Sequence, residues 1–87
     1  MMEIARLVSS RPHVDRMSLE ELFAEAEMFG ECDIYCSKGE QGRYRAKITF
    51  QTPAGIDLTA KSGFGMPILD AMRQAVDAAR KIAEQMK

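Results

Sequence analysis

The chain is predicted to fold as an α+β domain of two layers in the order α-β-β-β-α, with a three-stranded antiparallel sheet and both helices on one of its faces. Three observations predict this. Ser18 and Glu21 form a capping box at the head of a stretch with helical period. The period then changes to two across three consecutive segments divided by turn residues, and helical period returns in the alanine-rich stretch after Pro67.

The first helix starts at the capping box because the Ser18 hydroxyl can accept from the third helical N–H while Glu21 reaches back to the serine N–H. Met17 before the cap and Leu22 within the first turns make a hydrophobic staple. Leu19, Leu22, Phe23, Ala26 and Phe29 share one face, and Gly30 is expected to end the helix as a left-handed C-cap.

In the first strand Cys32, Ile34 and Cys36 alternate with Asp33, Tyr35 and Ser37. The turn "KGEQG" follows. Tyr44, Ala46, Ile48 and Phe50 then alternate with Arg43, Arg45, Lys47, Thr49 and Gln51, Pro53 to Gly55 turns the chain back, and Ile56, Leu58 and Ala60 alternate with Asp57, Thr59 and Lys61. Short loops make these strands an antiparallel meander with its even-numbered positions inward. After Gly63 and Gly65, Pro67 suits the first turn of a second helix, whose apolar stripe is Leu69, Met72, Val76, Ala79, Ala83 and Met86. Its outer face carries Asp70, Arg73, Asp77 and Lys81 at ion-pair spacing, each pair worth only ~0.3 kcal/mol.

Residues 1–16 are expected to be an N-terminal arm or short helix, since Ile4, Leu7 and Val8 suit one amphipathic turn and "SSRPH" reads as a break; residues 17–87 form the single domain. A chain of 87 residues has little room for a large cleft. Its 46% apolar and 29% charged composition is that of a soluble globular protein, and no apolar run approaches the ~20 residues of a membrane span. "MMEIARLVSS" carries Glu3 and Arg6 and lacks the apolar core of a signal peptide, so a cytoplasmic protein without a membrane partner is expected. The net charge of −1 hides an uneven distribution: Glu20 to Asp33 holds six acids and no cation, whereas Arg43 to Lys61 holds four cations and one acid.

The order α-β-β-β-α from Ser18 to Lys87, closing with glycines and "LDAMRQAVDAARKIA", resembles the double-stranded-RNA-binding domain fold, and the last strand and helix are also similar to HicB-like antitoxins. In that family the first helix, the first strand-to-strand loop and lysines at the start of the last helix contact RNA. Here those places hold Glu20, Glu21, Glu25 and Glu27, then Lys38 with Glu40, then Met66, Pro67, Ile68, Leu69 and Asp70. Lys and Arg supply most of the non-specific affinity for phosphates, so weak duplex-RNA binding by that surface is expected.

Catalytic and cofactor chemistry has little support. Gly63-Phe64-Gly65 lacks both the Walker lysine and the third glycine of a dinucleotide fingerprint, and reads as a turn. Cys32 and Cys36 on one strand put their sulfurs roughly 13 Å apart, too far for a shared zinc or a disulfide, so both are expected to be reduced, buried core residues. His13, the one histidine, has no nucleophile near it in sequence. No metal, cofactor or enzymatic activity is expected.

The open sheet face remains, with Tyr35, Arg43, Arg45, Lys47 and Lys61 as the candidate binding residues and Glu20, Glu21, Glu25 and Glu27 as an alternative acidic face. The leading expectation is a non-enzymatic protein-interaction module, monomer or homodimer, that occupies another protein or protein complex. Similarity in size and build to small phage accessory proteins, some anti-CRISPR inhibitors among them, implies an inhibitor of a bacterial defence complex. Nucleic-acid or nucleotide binding, through the sheet cations or through an anion held at the Gly63–Gly65 turn, is the alternative.

Overall fold

The computed structural model describes residues 12–36, 39 and 41–85; residues 1–11 of the expected arm, Ser37, Lys38 and Glu40 of the first strand-to-strand loop, and Met86 of the helical stripe lie outside them. A 3-10 turn (Val14–Arg16) leads into helix α1 (Leu19–Phe29), strands β1 (Glu31–Cys36), β2 (Tyr44–Gln51) and β3 (Asp57–Lys61), and helix α2 (Ile68–Gln85). The sheet has the order β1-β2-β3 with both pairings antiparallel. This is the expected α-β-β-β-α arrangement.

The capping box forms as the sequence requires. Glu21 N–H donates to Ser18 Oγ at 3.2 Å, and Ser18 N–H donates to Glu21 Oε1 at 2.9 Å. That second bond, with the Ser18 hydroxyl as a further hydrogen-bond partner of the carboxylate, lowers the Glu21 carboxyl pKa from its ordinary value. At the other end Gly30 does stop α1, with its N–H on Ala26 O, but its φ of 168° is extended backbone and not a left-handed cap. Glycine is needed there because the chain passes tightly over β2: a Cβ on Gly30 would run into Thr49 O and stand 3.0 Å from Phe50 Cβ.

Register pairs even residues with even residues, for example Cys32 with Ile48 and Ile48 with Ala60, so the inner face is the one that alternation predicts. Ala46, Ile48, Phe50 and Ala60 are buried there under α1, which lies over β1 and β2, and α2, which lies over β2 and β3. Leu22, Ile48, Met72 and Val76 are the largest fully buried side chains; truncating Leu22 or Met72 to alanine would cost about 2–5 kcal/mol. Phe29 and Phe50 close one end with ring centroids 5.7 Å apart.

Two inner-face expectations fail at the margins. Cys36 is exposed, because it ends the edge strand β1 at a corner the helices leave uncovered; Cys32 is half-buried, its Sγ 4.0 Å from Met72 Sδ. Burial, with the nearby Asp33 and Glu27 charges, pushes the Cys32 thiol pKa up. Ile56 is 61% exposed because the β2–β3 turn takes it: Ile56 N–H donates to Thr52 Oγ1 and Ile56 O accepts from Thr52 N–H, so β3 starts one residue later.

The described part of the arm is docked. Val14 and Met17 are buried in the core, while two arginines of α2, seven residues and two turns apart, hold the backbone before α1. Arg73 Nη2 donates to Asp15 O at 3.1 Å and Arg80 Nη1 to Pro12 O at 3.0 Å. Arg80 also grips Glu25 through Nε on Oε2 at 2.5 Å and Nη2 on Oε1 at 2.7 Å, a two-point bond that raises the guanidinium pKa from its ordinary value. Of the expected ladder on α2, Asp70 pairs with Arg73 at 3.7 Å and Asp77 with Lys81 at 3.0 Å. No helix among the described residues is long and apolar enough to cross a membrane.

Candidate functional site: the open face of the sheet

Both helices pack on the even face, so the odd residues of all three strands face away from the core. Charge on this face is divided along the strands. Glu31, opposite Thr49, and Asp57, opposite Gln51, mark one end; Arg45, opposite Tyr35, and Lys47, opposite Lys61, mark the other. Lys47 therefore stands directly across from a like charge on β3 and from Asp33 on β1. No ion pair to Arg45, Lys47 or Lys61 forms among the described residues.

The cationic end is completed by a residue that alternation does not place. Beyond Lys61 the edge strand continues to Ser62, whose N–H donates to Ala46 O and whose Oγ accepts from Ala46 N–H, both at 2.9 Å. Pairing resumes at Met66, which exchanges both backbone bonds with Tyr44. Gly63, Phe64 and Gly65 thus stand opposite Arg45 alone, a bulge with two more residues than a regular ladder has. Gly65 has a φ of 66°, the left-handed value that favours glycine.

This bulge is fastened on several sides. Ser62 Oγ donates to Gly63 O, Gly63 N–H to Gln74 Oε1 at 3.1 Å on α2, and Arg43 Nη1 to Gly65 O at 2.9 Å. Its consequence is a phenyl ring held in solvent: Phe64 is 75% exposed, with the Arg45 guanidinium 4.1 Å from its centroid. Across β2 the Tyr35 ring, 47% exposed, has Lys47 Nζ 5.8 Å from its centroid. Tyr35, Arg45, Lys47, Thr59, Lys61 and Phe64 line one shallow depression of about 430 Å³.

The structure thus brings together four of the sequence-predicted residues, Tyr35, Arg45, Lys47 and Lys61. Arg43 precedes β2 and braces the bulge instead of lining the depression. Phe64 was the residue missed. Its signal is an aromatic side chain between the two glycines of that turn.

The acidic alternative is reduced in size. Glu20, Glu21 and Glu27 are exposed on α1, but Glu25 is only 7% exposed and faces Arg80, because position 25 falls on the side of α1 that meets α2. His13 caps the 3-10 turn, its Nδ1 accepting from Asp15 N–H at 3.3 Å. Among the described residues no group of three or more His, Cys, Asp and Glu side chains is placed to hold a metal ion.

Fold and site define a small α+β domain whose α-β-β-β-α order is compatible with a double-stranded-RNA-binding-domain-like fold and whose open sheet face carries a mixed cationic and aromatic patch. Compared with known proteins, the chain matches no family model and, at significant similarity, no curated protein and no solved structure.

Proposed function

We propose that the chain is a non-enzymatic binding module whose working surface is the open face of the sheet and whose partner is an anionic macromolecule. One observation carries this reading: three cations without ion-pair partners among the described residues, Arg45, Lys47 and Lys61, share one depression with two exposed rings, with Lys47 and Lys61 in direct cross-strand register. Like charges so placed destabilise the free sheet. A partner's negative charge relieves that repulsion, so binding and charge clustering favour each other. With a net charge of −1 the molecule as a whole attracts no polyanion, and the attraction is confined to this face. Covering a partner in this way is also how the chain would act as an inhibitor of a bacterial defence complex.

The test is an amide-shift NMR titration with inorganic polyphosphate, a polyanion with no other recognition chemistry. Shifts are expected on Tyr35, Arg45, Lys47, Lys61 and Phe64 and should fade as salt is raised. Saturation without shifts on these residues, or shifts confined to another surface, would remove the reading.

A further inference from the structure

We infer that the open face binds single-stranded nucleic acid, with unpaired bases stacked on Phe64 and Tyr35 and the backbone phosphates on Arg45, Lys47 and Lys61. The inference rests on the anionic-partner reading and narrows it to one chemistry.

Charge alone does not account for the rings. Phe64 has no polar group, yet bonds from Ser62, Gly63, Gly65 and Met66 hold its bulge so that the ring stays in solvent. The Arg45 guanidinium lies over the ring, and at 75% exposure most of the phenyl surface is left for a second flat group. A nucleobase fits that vacancy: every base has a π-face, so stacking needs no particular sequence. The second ring is correctly placed for the next contact. Tyr35 lies on β1 opposite Arg45, and the bulge lies opposite Arg45 on its other side. Two strand spacings separate the rings, roughly 10 Å, with the Arg45 and Lys47 cations between them.

Size points the same way. Three strands by five residues cover a footprint of roughly 200 Å², whereas a stable protein–protein interface takes about 800 Å² from each partner. An acidic protein surface would need much more than this patch, while a short run of nucleotides would not. A duplex is also disfavoured, because its bases are already stacked inside and offer the rings nothing.

The experiment is fluorescence anisotropy of the full chain with labelled oligothymidylate and oligouridylate of about ten nucleotides, within the ~4–16 that single-strand sites occupy. A duplex of equal length and a labelled polyglutamate peptide serve as comparisons. Both single strands are expected to bind more tightly than the duplex. With three phosphates neutralised, the slope of log K against log salt should be about −2, from ~0.7 per contact. Phe64→Ala and Tyr35→Ala should each weaken binding by roughly tenfold with an unchanged thermal midpoint, and Ile56→Ala, an exposed apolar residue in the β2–β3 turn, should bind as wild type.

Equal or tighter binding of the duplex overturns the inference, as does a Phe64→Ala variant with undiminished affinity. Binding of polyglutamate without binding of either single strand overturns it in favour of an acidic protein partner and leaves the anionic-partner reading intact. If the single strands, polyglutamate and polyphosphate all fail to bind, both fall together.

Discussion

Replacing Lys61 by glutamate should make the protein more stable and less able to bind. In the native register Lys61 stands directly opposite Lys47, with Cβ atoms about 5 Å apart in such pairs. Lys61→Glu removes a repulsion and adds an attraction of similar size. Cross-strand charge pairs contribute roughly 0.2–1 kcal/mol, and both side chains reach solvent, so a net gain of about 0.5–1 kcal/mol is expected in low salt. For a domain of this size that is a rise in Tm of about 2–8 °C. Most of it should vanish in 1 M salt, where the Debye length falls to about 3 Å. The sibling substitution Lys47→Glu is an internal control. It gains from Lys61 but meets Asp33 on its other side, so its Tm should hardly move. Oligonucleotide affinity should fall on the order of tenfold in both variants, because a phosphate contact becomes a like-charge contact. Thermal denaturation at two salt concentrations and anisotropy titration read the two halves separately. A lower Tm for Lys61→Glu in low salt would refute the register on which the site is built, and a higher Tm with undiminished binding would refute the site.

Three further outcomes follow from the geometry. Gly30→Asn should destabilise at least as much as Gly30→Ala, each by about 1–3 kcal/mol in chemical denaturation, because the obstacle is the Thr49 carbonyl; asparagine restoring stability over alanine would instead mark a left-handed cap. Ser62→Ala should cost about 1–3 kcal/mol by taking the acceptor from Ala46 N–H, and should weaken oligonucleotide binding through the loosened bulge; loss of stability without loss of affinity would separate Phe64 from Ser62. In mass-spectrometric alkylation near pH 8, Cys36 should react first, since the raised Cys32 pKa leaves less thiolate at a given pH and its reactivity rises only at higher pH; equal rates would contradict the half-buried placement.

Alternation carried most of the fold. Ala46, Ile48, Phe50 and Ala60 are buried because a period of two leaves only one face for the helices to cover, and the same count put Tyr35, Arg45, Lys47 and Lys61 on the other. What alternation cannot see is where the covering layer ends, which is why Cys36 emerged exposed. It also cannot see an insertion in the ladder. Two extra residues between Ser62 and Met66 change no hydrophobic pattern, yet they decide where Phe64 points. Charge reading had a similar blind spot. Glu25 and Arg80 look like two more surface charges, and only the meeting of α1 with α2 makes them partners.

The grip of Arg73 and Arg80 on the chain before α1 joins residues 58 and 68 positions apart in sequence, nearly the whole described length. Such contacts close late in folding, since the hairpins and helices form from neighbours while the ends must wait for everything between them. Interactions absent from the folding transition state slow unfolding without hastening folding. The two arginines therefore act as a latch on the lifetime of the native state: a protein without it would refold at much the same speed but open more often.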